Sequence, residues 1–559
     1  MLDILIPNHA STFYWNHDSS ILVKSSKDST NRMITIHCIG TPLYENVPAH
    51  SIFQQIITDF FTNKLKQDRL KGNFLILMIE KNDLKVLCDK THQHQLFYDK
   101  NNELLSTSYL ELVRNNSYPL KLNTYGFYEK IALGFHLSED TEFDSIIRIS
   151  PENVNEVKAF NIEYLSDHEL PKLDNIKLHS GSRKKSLKLQ ESVLNDYFSL
   201  INQTFRGKTG DLGISGGFDC RLVLALAQKN ITKPLHLHTH ATIDVHEGQS
   251  KYADIIAESY GASLTKVSTT SPSKLDNESF TKMLDDNLDF FDARSARHLG
   301  AYSQTYTQSY KTKSMAYADY SLNGLGGEVY RDSYFTGSEK MSWDEWAERY
   351  LFLTGAKSIV PSIELEKVSA KAKKILEKRL HWNKEYYDIM FTHAYYGLIK
   401  MPLCNGSVVS AYNKVSPFIL PFVEYSIVIE ALKATPYLGI GGQYQAELIT
   451  RISSSLAKLP THYGGTFKSL GLKYYTWSYI KTKARNKHRD AIVQKKLIEK
   501  TESPAFKKEW NKLNGKEAFN KSINKLKHID ERLNIQVAFA ESTHKRNIIL
   551  LGYFLRNYS

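Results

Sequence analysis

The segment Leu212–Arg221, Leu-Gly-Ile-Ser-Gly-Gly-Phe-Asp-Cys-Arg, constrains the fold more than any other stretch of this 559-residue chain. An apolar strand over Asp211–Ile214 runs into Ser-Gly-Gly, and a helix over Arg221–Lys229 begins almost at once. A helix over Ser186–Phe205 precedes it; a strand over Leu235–Thr239 and a helix over Gln249–Tyr260 follow. Such alternation predicts a parallel α/β sheet. Adjacent glycines let the backbone turn tightly and present N–H groups without interference from Cβ. The helix start adds unpaired donors and a partial positive charge, which suits an anion such as pyrophosphate. Asp219 could then hold a magnesium ion bridging those phosphates. By itself Ser-Gly-Gly is a weak signal, because glycine pairs commonly just turn a chain.

Residues 1–165 read differently. Short apolar runs at Phe74–Ile79, Lys85–Cys88, Gln95–Tyr98 and Leu104–Thr107 are separated by polar, turn-like clusters, and a helix is expected over Ser51–Leu65. The spacing predicts an antiparallel sheet. Residues 166–185 turn polar and read as a linker. After about residue 340 the pattern is helical to the end, with no internal repeat or low-complexity tract.

Composition removes several classes. The 4 cysteines (Cys38, Cys88, Cys220, Cys404) show no CxxC spacing, which excludes a disulfide scaffold and a cysteine zinc module. The longest apolar runs, Phe74–Ile79 and Ile548–Leu555, are shorter than the ~20 residues of a membrane span. The start, MLDILIPNHA, does not read as a signal peptide, so a cytoplasmic location is the expectation. The net charge of +12 is localised: Lys468–Ser559 holds 21 Lys and Arg against 8 Asp and Glu, and the rest holds 51 against 52. The basic stretch reads as helices with a solvated cationic surface; the sharper alternative is a face for an acidic substrate or RNA.

The ordered set of motifs carries a resemblance. SGGFDC in its strand–loop–helix resembles the SGGxDS loop of the PP-loop ATP pyrophosphatases. Asn323-Gly324-Leu325-Gly326-Gly327-Glu328 is similar to the SGEGxDE segment of asparagine synthetases, and Phe291–Arg297 is similar to the stretch before it. Ser416–Glu424 resembles that family's PFLD…E helix start. Gly72-Asn73-Phe74, Leu84–Asp89, Leu96-Phe97-Tyr98, Leu105–Ser108 and TEFDSIIRISP run like its glutaminase-type domain. The resemblance spans most of residues 1–475 at low identity and leaves the basic tail unmatched.

It implies an Ntn-hydrolase-like antiparallel β-sandwich with helices over 1–165, a linker over 166–185, a PP-loop ATP-binding domain over 186–475, and a basic helical extension over 476–559. In that scheme Ser215, Gly216, Gly217 and Cys220 cradle the β/γ phosphates, and Ile214 and Gly324 border the adenine. Asp219 and Glu328 hold magnesium, and Arg297 lies near the phosphates and the acyl-adenylate. The implied cofactors are ATP and Mg2+. The implied reaction is attack of a small-molecule or peptide carboxylate on the α-phosphorus of ATP, loss of pyrophosphate, and capture of the acyl-adenylate by ammonia or an amine.

Departures shape the expectation. The family's glutaminase nucleophile is a cysteine at the mature N-terminus; here position 2 is Leu2, and leucine cannot attack an amide. The same loss occurs in β-lactam synthetases and lasso-peptide cyclases, whose nitrogen comes from the substrate. The family's glutamate in SGEGxDE is Leu325, its aspartate is Glu328, and its late lysine falls near Thr461-His462, flanked by Lys458 and Lys468. Tyr330 and Arg331 are the candidates to substitute in catalysis. Two other functions stay open: modification of a nucleic acid by the same adenylation, and a nucleotide-binding scaffold without turnover.

Further candidates have plainer readings. Cys220 can fill a serine's volume in the loop instead of acting as a nucleophile. His236, His238 and His240 share one strand face and are expected at a sheet edge near the nucleotide instead of on zinc. Tyr395-Tyr396, Tyr474-Tyr475 and Trp477 read as core, and Tyr302–Tyr310 as a possible pocket wall.

Overall fold

The computed structural model describes residues 2–6, 9–15, 22–24, 34–165, 169–242, 247–294, 307–315, 318–332, 339–469, 480 and 489–559. Six strands form one N-terminal sheet in the order β1 (Leu2–Ile6), β2 (His9–Trp15), β4 (Ile34–Tyr44), β5 (Leu70–Glu80), β6 (Asp83–Cys88), β10 (Asn161–Tyr164). Four more form a second: β3 (Leu22–Lys24), β8 (Leu104–Ser106), β7 (Leu96–Asp99), β9 (Ile146–Ile149). The period of two along β5 explains the layering. Leu75 and Leu77 point at Leu96, Tyr98 and Leu105 of the other sheet. Phe74, Ile76 and Met78 point the opposite way, onto Ile52, Phe53 and Ile56 of the helix Ala49–Phe61. Buried on both faces, β5 needs the unbroken apolar run seen in its sequence.

The expectation of an antiparallel sheet holds for most pairs but not for β2–β4 and β6–β10, which are parallel. Both are joined by long connections, which a parallel pairing requires and a tight hairpin forbids.

A third sheet has five parallel strands in the order β13 (Leu264–Thr269), β12 (His236–Thr242), β11 (Gly210–Gly213), β14 (Tyr320–Leu322), β15 (Phe418–Ile419). In chain order this is third, second, first, fourth, fifth, so the winding reverses between β11 and β14. Loops leaving the C-terminal ends of those two strands must splay apart, opening a crevice. His236, His238 and His240 lie on β12, inside the sheet and not at its edge. Each has its own partner: Ser263 at 3.0 Å, Asp211 at 2.9 Å and Tyr310 at 2.7 Å.

The edge strand β15 is closed by Thr41 and Asn73 of the first sheet together with Asn413. Phe418 N–H donates to Thr41 Oγ1 and Asn413 Oδ1, both at 3.1 Å, and its carbonyl accepts from Asn73 Nδ2 at 2.6 Å. Asn413 Nδ2 in turn donates to Asn73 Oδ1 at 3.0 Å. All of these groups are buried, so each lost partner exposes the full desolvation penalty. Asn73→Ala is therefore expected to lower the unfolding free energy by about 2–3 kcal/mol, read as a shifted urea midpoint. An unchanged midpoint would show that the edge is not held this way.

The basic C-terminal helices share the core with the rest. Phe554 packs on Tyr109 and Phe143, at ring distances of 5.7 and 5.6 Å. Tyr128 donates to Asp530, and Tyr553 donates to Asp285 at 2.5 Å. Lys495, Lys496, Lys507, Lys508, Lys512, Lys521 and Lys527 are exposed, leaving the apolar side of these amphipathic helices for packing. No described helix is long and apolar enough to cross a membrane.

Candidate functional site

The site lies where β11 and β14 end. Ile214, buried at the close of β11, donates its N–H to the His238 carbonyl at 2.8 Å. Ser215-Gly216-Gly217 then turns the chain, and the helix Phe218–Asn230 starts three residues earlier than its apolar pattern indicates, with Gly217 at the N-cap. That start puts Asp219 in the first turn, beside the N–H donors and the positive end of the dipole. Glycine is required here by close contact. A Cβ on Gly216 would lie 2.9 Å from the His462 nitrogen, and one on Gly324 would lie 2.7 Å from the Asp219 carbonyl carbon. The two loops are thus packed backbone to backbone across the winding reversal.

Cys220 turns back into the loop, its Sγ 3.3 Å from both Ser215 N and Ser215 Oγ. It fills the space under the turn and braces Ser215. Arg221, one residue on, is fully buried and donates to the carbonyls of Leu456 at 2.9 Å and Pro460 at 3.0 Å. The loop anchored in this way carries His462 and Tyr463 over the glycines, their rings 3.8 Å apart. Tyr463 and Phe467 both pack on Phe218, at 4.9 and 4.5 Å. This is where the family's lysine would fall; the structure places an exposed His462 and a partly buried Tyr463 there.

Asp219 and Glu328 do converge, but on Arg331. Its Nη2 lies 2.9 Å from Asp219 Oδ2 and 3.0 Å from Glu328 Oε1. The remaining oxygens are taken as well: Asp219 Oδ1 accepts from Gln445 Nε2 at 2.9 Å, and Glu328 Oε2 accepts from Tyr396 OH at 2.5 Å. The guanidinium lies over the Phe218 ring at 5.2 Å. Burial pushes the Asp219 carboxyl up to about 6; Arg331 opposes the shift and Glu328 adds to it. The paired carboxylates hold Arg331 above its ordinary range despite burial. Burial pushes the Tyr463 hydroxyl up to about 12.

These contacts test the expected metal seat. A magnesium ion takes oxygens in near-octahedral geometry and keeps several waters. Here all four carboxylate oxygens already have a protein donor, and a guanidinium fills the space between the two groups. Among the described residues, no three His, Cys, Asp or Glu side chains cluster to hold a metal. The pair as arranged does not fit a protein-held magnesium.

Tyr330 is fully buried, packed edge-on to Phe422 at 5.7 Å, and its hydroxyl has no partner. It belongs to the core beneath the site and cannot reach a ligand as a catalytic group. Arg331, its neighbour, does reach the site. Leu325 is partly buried, its N–H donating to Asn323 Oδ1 at 2.9 Å. Arg297, Tyr302, Tyr474, Tyr475 and Trp477 lie outside the described residues. Tyr395 is core as expected, whereas Tyr396 is a site residue. Neither Tyr396 nor Gln445 belongs to a local motif, and only the packing of two distant helices brings them in.

No protein-family model matches this chain, and no curated protein matches it.

Proposed function

We propose that this chain is an ATP-dependent, AMP-forming amide ligase of the asparagine synthetase type, without glutaminase activity. The observation that carries the reading is the pair of loops at the winding reversal. A glycine-rich turn opens a helix on one side, and Gly324–Glu328 faces it on the other, where α/β sheets bind ligands. Ser215, Gly216 and Gly217 would receive the polyphosphate on backbone donors, and Ile214 and Gly324 would border the base. Arg331 would supply charge next to them.

In the proposed reaction a substrate carboxylate attacks the α-phosphorus of ATP and pyrophosphate leaves. An amine or ammonia then displaces AMP from the acyl-adenylate. Positioning and fixed dipoles carry the acceleration, and no step is assigned to a metal held by Asp219 and Glu328. The layered N-terminal domain is read as a retained Ntn-type scaffold, in keeping with Leu2. A second reading, a nucleotide-binding scaffold without turnover, draws support from Leu325 standing where the family has an acid.

The test follows α-labelled ATP with the purified protein, magnesium and a small-molecule extract of the source cell, beside Asp219→Ala. AMP formed by wild type alone is the expected result. Formation of ADP, or intact ATP in an extract shown to hold amine and carboxylate metabolites, would refute the ligase. Retained ATP binding in that second case would support the scaffold.

A further inference from the structure

We infer that the cation of this site belongs to the chain itself: Arg331 is the resident counter-ion of Asp219 and Glu328, and this pair takes up no divalent metal in the native protein. The argument begins with local geometry. Glu328 lies on the short 3-10 turn Gly327–Tyr330, and Arg331 leaves that turn in extended conformation, at φ −148° and ψ 148°. The turn brings the guanidinium back onto the carboxylate three residues earlier, at 3.0 Å, while the helix start presents Asp219 from the opposite side at 2.9 Å.

The arginine is not a mobile surface group. Its side chain is 12% exposed, against 26% for Asp219 and 32% for Glu328. Phe218 covers one face of the guanidinium, and the Tyr463 hydroxyl bonds to it from the 459–467 loop. A divalent ion between the carboxylates would have to expel this buried cation and leave it uncompensated, which opposes any gain from coordination. It would also have to break the bonds from Gln445 and Tyr396 or accept carboxylates already polarised by them.

The three charged groups together carry −1, whereas the two carboxylates alone would carry −2. If a polyphosphate enters beside them, as proposed above, Arg331 halves the repulsion it meets. Its planar donor set also suits phosphate oxygens. Any magnesium that arrives with a nucleotide is then held by the phosphates and not by this pair.

The test uses Mn2+ as the probe, followed by the loss of its free-ion EPR signal on full-length protein without nucleotide. Wild type is expected to leave the signal unattenuated. Arg331→Met, with folding checked by circular dichroism, is expected to tighten Mn2+ binding by about 10²-fold, the equivalent of removing a buried competitor ion. Adding Asp219→Asn to that variant should abolish the gain. Arg331→Gln, which keeps a polar side chain in the same space, serves if the methionine variant does not fold. Wild-type Mn2+ binding that Asp219→Asn removes would overturn the inference, as would a folded Arg331 variant that gains nothing. The metal titration needs no ATP. A protein that excludes Mn2+ yet never binds ATP would sink the ligase and keep this inference; an adenylating protein that binds Mn2+ at Asp219 would do the reverse.

Discussion

His136→Ala is expected to lower stability by about 3–5 kcal/mol, because His136 lies between two buried carboxylates that favour its protonated form. Nδ1 lies 3.5 Å from Glu129 Oε2, and Nε2 lies 3.1 Å from Glu142 Oε1, with both glutamates almost wholly removed from solvent. Lys130 Nζ is a further 4.0 Å partner of Glu142. Behind them, Arg148, Arg294, Cys404 and Ser407 line a cavity of about 30 Å³. Without the imidazole, two carboxylates share one lysine.

The pH dependence has a definite sign. Burial lowers the His136 pKa, but Glu142 and Glu129 outweigh it and hold it above the ordinary value. A raised histidine contributes fully below about pH 6.5, its unfolded value, and loses that contribution as pH rises through the folded value. Burial alone would raise the Glu142 carboxyl; His136 and Lys130 reverse that and bring it down to about 2. Its contribution is present above about pH 4.5 and is lost as the pH falls toward 2. Urea midpoints measured from pH 3 to 9 should peak near about pH 5–6.5, and the alkaline limb should flatten in His136→Ala. A variant as stable as wild type at pH 6 would show that these ion pairs do not form.

Gly324→Ala is expected to weaken nucleotide binding by about 10²-fold. The added Cβ would stand 2.7 Å from the Asp219 carbonyl carbon and 2.8 Å from the Cys220 nitrogen. Both are backbone atoms in the first turn of the Phe218–Asn230 helix, so no side chain can rotate away. The two loops must separate, which also costs about 1–3 kcal/mol of stability. Calorimetric titration with a non-hydrolysable ATP analogue checks the affinity, and circular dichroism checks the fold. Unchanged affinity in a folded variant would place the nucleotide somewhere other than between these loops.

Much of this architecture was legible in local pattern. The unbroken apolar run Phe74–Ile79, bounded by polar turn-like clusters, marks a strand. Alternating strands and helices after residue 186 mark the parallel sheet, and Ser-Gly-Gly marks the turn that opens a helix. These signals involve residues within a few positions of one another, where backbone sterics and side-chain period act directly. The helix begins three residues before its apolar pattern does, because Phe218-Asp219-Cys220 has no apolar period although Gly217 supplies the cap. The parallel pairs β2–β4 and β6–β10 were not legible, since pairing direction depends on how long connections are routed.

The function of individual site residues was less visible. Tyr330 and Arg331 are neighbours with the same sequence credentials, yet one is sealed in the core and the other joins two carboxylates. Gln445 and Tyr396 reach the site from helices far along the chain, and Asn73, on the first sheet, closes the edge of the five-stranded one. The sequence by itself determined several strands (those at 70–106, 210–213 and 236–242), the glycine turn and the basic surface, because those follow from near neighbours, but not β4, β13, β14 or β15. Only the tertiary structure decided which charges meet, because the order β13-β12-β11-β14-β15 sets Asp219 opposite Glu328, and the turn after Glu328 delivers Arg331 between them.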